Sequence, residues 1–426
     1  MKLARVISFS FALLLGSSPF SWSEEATRTL SLSLTQAQIL LEKSNREIIA
    51  ARLALEVAGS QVLLAGARPN PTLGAQISSI SPSRGLGAGS LQNKQMDSIL
   101  SINQLVERGS KRELRISTAD AQVLAAQRDL TEIRRQQQLA LGLAYFELKL
   151  ALERLRILQD TAQLQEQAVT AAKRRLAAGD AAESEVIRLS LEALRASNDA
   201  RTAQADVSRA RQSLGLLFGA DGKAEQWVAS DDWPDHVAAQ SMAAPDPARI
   251  ASRADVRAAQ ARVAASEKNR ELARQLRTRD VTVGAQIERF PPDAGVSYGI
   301  SMSIPLFSNY HFEGEIAQAE AELTSAMAAR DRQLMIAMSD VTRAQTDLMA
   351  TAERRHRLAD ELLPQARRAL ASAEFAYQHG ATGLLDLLDA RRTLRAVELD
   401  AATAAADFAK AHVAWRAAQS SELESP

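Results

Sequence analysis

From Gly109 to Leu176 the chain runs without a proline or a strong break, and its apolar residues recur at helical spacing. A helix of about 67 to 69 residues is roughly 100 Å long at 1.5 Å per residue, far longer than a compact core can cover. A second long helix is expected from about Phe312 to Gln378. Shorter helices are expected over Leu34–Ala67 and about Glu183–Phe218, then over Pro247–Arg277 and Leu384 to about Arg416. Stacked end to end, each short pair nearly matches a long rod, so the chain reads as four columns of equal height. The chain has 46% hydrophobic residues but only 4% aromatic ones, so the apolar surface is largely Ala, Leu and Val, which suits close packing along long seams. The outcome is a tube wall or a coiled-coil rod.

Four short segments break this pattern. "TLGAQI" at Thr72–Ile77 returns about 210 residues later as "TVGAQI" at Thr282–Ile287. Each has the period-two alternation of a strand, and each is followed by a second alternating segment, "MDSILSINQLVE" and "VSYGISMSIPLF". Pro69 and Pro71 stop the helix before the first hairpin. Helix, hairpin, long helix and short helix therefore occur twice in the same order, the pattern of a duplicated chain. "SIN" and "SMS" at Ser101 and Ser301, with "ALRA" and "TLRA" ending at Ala196 and Ala396, align in the same way.

The amino terminus carries Lys2 and Arg5, an apolar run from Val6 to Leu15, and small residues Ser21 and Ser23. This predicts a secretory leader, residues 1–23, cut after Ser23. Beyond it no stretch is expected to approach the roughly 20 apolar residues a membrane helix needs, so membrane insertion would be by strands. The strands are each about 10 residues, the length of a tilted membrane-crossing strand. Four cannot close, and open edges are not tolerated in lipid, so this reading requires an oligomer. Two chains would give eight strands with a filled interior, whereas three would give twelve and a lumen. A small soluble β-subdomain between helices is the alternative.

The expected organisation is thus residues 1–23 leader, 24–218 first repeat with a hairpin at 72–107, 219–246 linker, 247–418 second repeat with a hairpin at 281–307, and 419–426 tail. Lys+Arg and Asp+Glu each number 51, so no global field favours nucleic acid. The absence of cysteine excludes thiolate metal sites, disulfides, a cysteine nucleophile and an acylated amino-terminal cysteine. The histidines His236, His311, His356, His379 and His412 have no ligand spacing, and no phosphate loop or catalytic constellation is present. No enzyme activity, cofactor or dedicated metal site is expected.

This order of elements resembles the TolC family of outer-membrane efflux proteins over nearly the whole mature chain. The motifs that carry the resemblance are "ARPNPTL" (Ala67–Leu73), "INQLVERGSKR" (Ile102–Arg112), "ISMSIPLF" (Ile300–Phe307) and "FAYQHGATGLLDLLDARRTL" (Phe375–Leu394). The first two are most similar to the branch that serves heavy-metal cation efflux, although Ser110 stands where that branch has a second glycine. The resemblance implies a mixed α and β membrane protein: a long α-helical coiled-coil barrel continued by a transmembrane β-barrel, built by a homotrimer with four strands per chain. It also implies docking with a periplasmic adaptor and an inner-membrane pump, of the resistance-nodulation-division type for this branch, and contact with outer-membrane lipid.

In such a duct, function sits at the narrow periplasmic tip, formed by "RRLAAGDAAESEV" and "AYQHGATGLLDLLDA". Asp386 and Asp389 stand three apart on one helix face, and the resemblance places them where aspartates ring the closed aperture. Threefold repetition would give six carboxylates that attract cations. The plain alternative is that acids favour a helix first turn through its dipole. Thr382 occupies a position where some members have a gate arginine, which removes a salt-bridge latch there. Glu183 and Glu185 are the first-half counterparts, with the same dipole alternative. Gly179 and Gly380 are expected at the turns. By resemblance, Arg175 to Asp180 and Tyr377 to Leu384 would meet the adaptor. The functional expectation is a passive exit duct for heavy-metal cations. Drugs or secreted polypeptide as cargo, and a periplasmic coiled-coil scaffold outside any membrane, remain the alternatives.

Overall fold

A computed structural model describes residues 29–80, 96–219, 226–235, 246–291 and 295–419. The expected leader, the Gly/Ser-rich loop of the first hairpin and tail residues 420–426 lie outside them. The long rod is helix α3, Lys111–Ala177, and its return is α4, Glu183–Leu217. The corresponding pair in the second half is α7, Glu313–His356, continuing into α8, Leu363–Gln378, and then α9, Leu384–Gln419. Strands β2 (Thr72–Ser78), β3 (Asp97–Val106), β5 (Val281–Arg289) and β6 (Val296–Ser303) form one antiparallel sheet in the order β2-β3-β5-β6. The sheet stands at the opposite end of the long helices from the turns that lead into α4 and α9.

Each expected first helix is broken in two. The Leu34–Ala67 helix divides at Asn45 into α1, Leu34–Ser44, and α2, Arg46–Gly66. The Pro247–Arg277 helix divides at Ser252 and Arg253 into α5, Pro247–Ala251, and α6, Ala254–Gln275. Neither break carries a proline or glycine; tertiary bonds hold both. Asn45 is 3% exposed, caps Ile48 N–H at 3.0 Å, and donates to Leu217 O at 2.8 Å and Gln137 Oε1 at 3.1 Å. Arg253 is 1% exposed and donates to Ala337 O at 3.3 Å and Ala418 O at 3.4 Å. In both halves the break thus grips the long helix and the end of the returning helix, where the short columns meet. Arg253 also forms two hydrogen bonds with Asp255. Burial alone would raise the Asp255 carboxyl, but those bonds and the guanidinium charge outweigh it and hold it below the usual carboxylate range. Arg135 of α3 adds a bond to Ala417 O at 3.1 Å, so two guanidiniums clamp the end of α9.

The expected linker is more than a tether. Its β4 strand, Gln226–Ala229, pairs in parallel with β1, Thr29–Leu32. Trp227 is 4% exposed and meets Phe218 edge-on at 5.3 Å, and Trp233 stacks on Phe146 at 6.0 Å beneath the ammonium of Lys149. Tyr145, fully buried, donates to Leu32 O at 3.0 Å and accepts the Asp231 N–H at 3.1 Å. Burial pushes its hydroxyl up to about 12, so it remains a donor at neutral pH. This belt rests on the middle of α3 and on the core residues Leu41, Ile48, Leu141, Val207 and Leu214. Beside it, Gly142 lets α9 approach closely: a Cβ there would lie 2.5 Å from Val413 Cγ1.

The second rod also departs from a continuous α-helix. A π turn, Arg357–Leu362, joins α7 to α8. Pro364, in the first turn of α8, supplies the cause: it has no N–H for the carbonyl four residues earlier, and its ring crowds that carbonyl. One further expectation is revised. Helix α2 is long and apolar enough to cross a bilayer by length and composition alone. It packs along α3 through Ile48 and Ala51 and leaves Leu53, Val57, Leu63 and Leu64 exposed.

Candidate functional site

Two turns form the far end of the rods, and they close alike. At the end of α3, Asp180 N–H donates to Arg175 O at 2.9 Å and Gly179 adopts a φ of +83°. At the end of α8, Ala381 N–H donates to Ala376 O at 2.8 Å and Gly380 adopts +70°. This is the six-to-one closure that a left-handed glycine permits. A small core of Val169, Ala172, Val186, Leu189 and Ala193 accepts Leu388 and the half-buried Leu384, joining the two turns.

Arg175 is the polar centre of this end. Its guanidinium reaches Asp180 O at 3.1 Å, Tyr377 Oη at 3.3 Å and Glu185 Oε1 at 3.5 Å. Four of the expected residues, separated by up to 202 positions, therefore meet in one cluster. Glu185 sits half-buried in that cluster, whereas Glu183 is exposed in the first turn of α4. Thr382 is exposed. Asp386 accepts the Gly383 N–H at 3.3 Å, the hydrogen bond of a helix-start acid. Asp386 and Asp389 are both exposed, on the side of α9 away from buried Leu387 and Leu388. Sequence spacing missed the ties along the α4 and α9 cleft: Arg392–Glu192 at 2.6 Å and Arg395–Asp199 at 3.6 Å. It also missed Phe375, 65% exposed and packed on the His379 ring at 4.1 Å. Among the described residues no group of three or more His, Asp and Glu is arranged to hold a metal ion.

At the other end, pairing decides which side chains share a face of the sheet. Leu73 lies opposite Ile102, Ile102 opposite Ala285, and Ala285 opposite Ile300. With Ile77, Leu100, Val283, Ile287, Tyr298 and Met302 they make one apolar face, on which Tyr298 and Ile300 are 81% and 89% exposed. The opposite face carries Thr72, Gln76, Ser101, Asn103, Gln286, Glu288, Ser301 and Ser303, with Ile99 and Leu105 its large apolar residues. Gly284 lets the Asn103 and Ser301 side chains lie flat across this polar face, because a Cβ there would collide with both. An apolar face and a polar face, both open, fit a strand layer with lipid on one side and water on the other. Among the described residues no strand pairs with the outer edge of β2 or of β6.

The sequence profile described as "Outer membrane efflux protein" matches residues 39–220 and 248–419, the two halves in turn. The chain belongs to the outer membrane efflux protein family. This efflux-family chain is 26% identical over 371 residues to the cobalt-zinc-cadmium resistance protein CzcC of Cupriavidus metallidurans, spanning 85% of this chain and 84% of that protein. A membrane protein from Pseudomonas aeruginosa shares its fold at a TM-score of 0.76 and 20% identity, covering 91% of this chain and 93% of that one. CusC, described in terms of transmembrane channel formation, superposes at a TM-score of 0.75 and 18% identity, covering 97% and 99%. The match to a metal-resistance protein agrees with the branch that "ARPNPTL" and "INQLVERGSKR" resemble.

Proposed function

We propose that this chain is the outer-membrane channel of a tripartite efflux system, a passive exit duct for heavy-metal cations. The observation that carries the reading is the two-faced sheet with unpaired edges on top of a helical column roughly 100 Å long. Three copies would join β6 of one to β2 of the next, closing twelve strands around the polar face and leaving the apolar face to lipid. The exposed leucines of α2 would then be covered by a neighbouring copy. An internal duplication accounts for the matching joints at Asn45 and Arg253 and the matching turns at Gly179 and Gly380. After removal of residues 1–23, the product would lie in the outer membrane with a large periplasmic extension.

At the tip, Asp386 and Asp389 of three chains form the cation-attracting aperture, flanked by Thr382, Glu183 and Glu185. The turns at Arg175 to Asp180 and Tyr377 to Leu384 receive the periplasmic adaptor, which links the duct to an inner-membrane pump of the resistance-nodulation-division type. Energy comes from that pump. The metal cargo is supported by the CzcC relationship.

The test begins with the native mass of protein extracted from outer membranes in mild detergent, where a trimer is expected and a soluble monomer would overturn the duct. In planar-bilayer recordings Asp386→Asn with Asp389→Asn should lower cation preference; unchanged selectivity would remove the aperture assignment. Loss of the protein should reduce tolerance of zinc, cobalt or cadmium salts more than of organic toxicants, and the reverse order would reassign the cargo.

A further inference from the structure

The register of β3 with β5 ends at Val106 opposite Val281. Two residues past the end of this pairing the Arg108 N–H donates to Asp280 Oδ1 at 2.9 Å, next to Arg279 in the chain. Arg108 and Arg279 thus lie just past the end of the sheet. Arg277 stands in the turn after α6, with its Nε donating to His311 O at 3.1 Å. The Arg279 guanidinium lies 5.5 Å from the Phe307 ring centroid. The three arginines, with Thr278, His311 and Glu313, line an open cleft of about 680 Å³.

The nearby acids are largely committed elsewhere. Asp280 pairs with Lys111 at 2.9 Å, Glu107 pairs with Arg115, and Glu313 accepts the His311 N–H at 2.9 Å. Among the described residues no ion pair joins Arg108, Arg277 or Arg279 to a carboxylate. Three guanidiniums that line one cleft without an ion-pair partner favour an anion among them. The apolar surface leading into the cleft includes Leu306, 79% exposed, and Tyr310, 49% exposed, stands beside it. Guanidiniums bind phosphate oxygens in bidentate fashion, and arginine clusters at the end of an apolar band meet lipid headgroups.

We propose that Arg108, Arg277 and Arg279 form a binding site for anionic phospholipid in the leaflet facing the periplasm. The phosphate lies among the guanidiniums, and the acyl chains run along Leu306 and Ile300. The site fixes how deep the sheet sits in the bilayer and ties the strand layer to the start of α3. This inference rests on the membrane reading of the sheet, so its test separates the two.

Full-length protein carrying Leu306→Trp or Ile300→Trp is reconstituted into vesicles of phosphatidylcholine, or of phosphatidylglycerol, with brominated acyl chains. Among the described residues the parent tryptophans Trp227, Trp233 and Trp415 lie outside the four-stranded sheet, and Trp22 belongs to the expected leader. Quenching at Ile300→Trp is expected to be strong and equal in both lipids. In mixed vesicles, quenching at Leu306→Trp should show a preference for phosphatidylglycerol of about fivefold, falling to about one in Arg108→Gln/Arg277→Gln/Arg279→Gln. Circular dichroism of the triple variant checks that the helices persist. No quenching at Ile300→Trp would overturn the membrane reading and the lipid site with it. Quenching there without a headgroup preference at Leu306→Trp, or with a preference that survives the triple replacement, would overturn the lipid site alone.

Discussion

The middle of the column and its far tip both join the end of one helix to a neighbour, but by different physics. In the middle, Arg253 is 1% exposed, Tyr145 is fully buried and Trp227 is 4% exposed, so polar bonds there are made inside a packed belt. At the tip, Arg175 is half exposed, Arg392 likewise, and a Cβ at Gly179 or Gly380 would meet nothing within 4 Å. Water can replace the polar ties of the tip, leaving only its small apolar core around Leu388, and can replace little of what holds the middle. Stability is therefore concentrated away from the end assigned to gating, which can change shape without unfolding the column.

Arg253→Ala should sharpen this contrast most. It leaves Asp255 buried without its partner and releases the carbonyls of Ala337 and Ala418, for an expected loss of about 3 to 5 kcal/mol in unfolding free energy of the detergent-extracted protein. A loss under about 1 kcal/mol would show that the joint is dispensable. Gly142→Ala should cost about 1 to 3 kcal/mol, because α3 and α9 must separate around Val413. Thermal unfolding followed by circular dichroism reads both. Arg175→Gln should change stability by at most about 1 kcal/mol even though it removes contacts to Tyr377, Asp180 and Glu185. If it cost as much as Arg253→Ala, the tip would be core-like and the comparison would fail.

Regular periodicity carried most of the architecture. The rods, the returns at α4 and α9 and all four strands of the main sheet lie within a few residues of where spacing puts them, since each depends on local pattern. What was illegible depends on distant partners. Asn45 and Arg253 look like ordinary helix positions until Leu217 and Ala418 supply their bonds. Strands β1 and β4 have four residues each, too few for alternation to register, and they form because Tyr145 and Trp227 seat them on α3. Pro364 was a legible signal for the π turn, and weight given to the long helical period obscured it. At the tip, the glycine turns were readable from composition, whereas the meeting of Arg175 with Tyr377 required the fold. The faces of the sheet followed only from pairing, because a one-residue slip exchanges them.

The β3 to β5 seam has a consequence in time. It joins Ser98 to Arg289, residues from opposite halves of the polypeptide, so the first hairpin is made long before its neighbour exists. At about 5 to 20 residues per second of synthesis that interval is roughly 10 to 40 seconds, during which an apolar, edge-exposed hairpin must be kept from other strands. Slow, non-local closure of this kind makes an escort between ribosome and membrane part of what the topology requires.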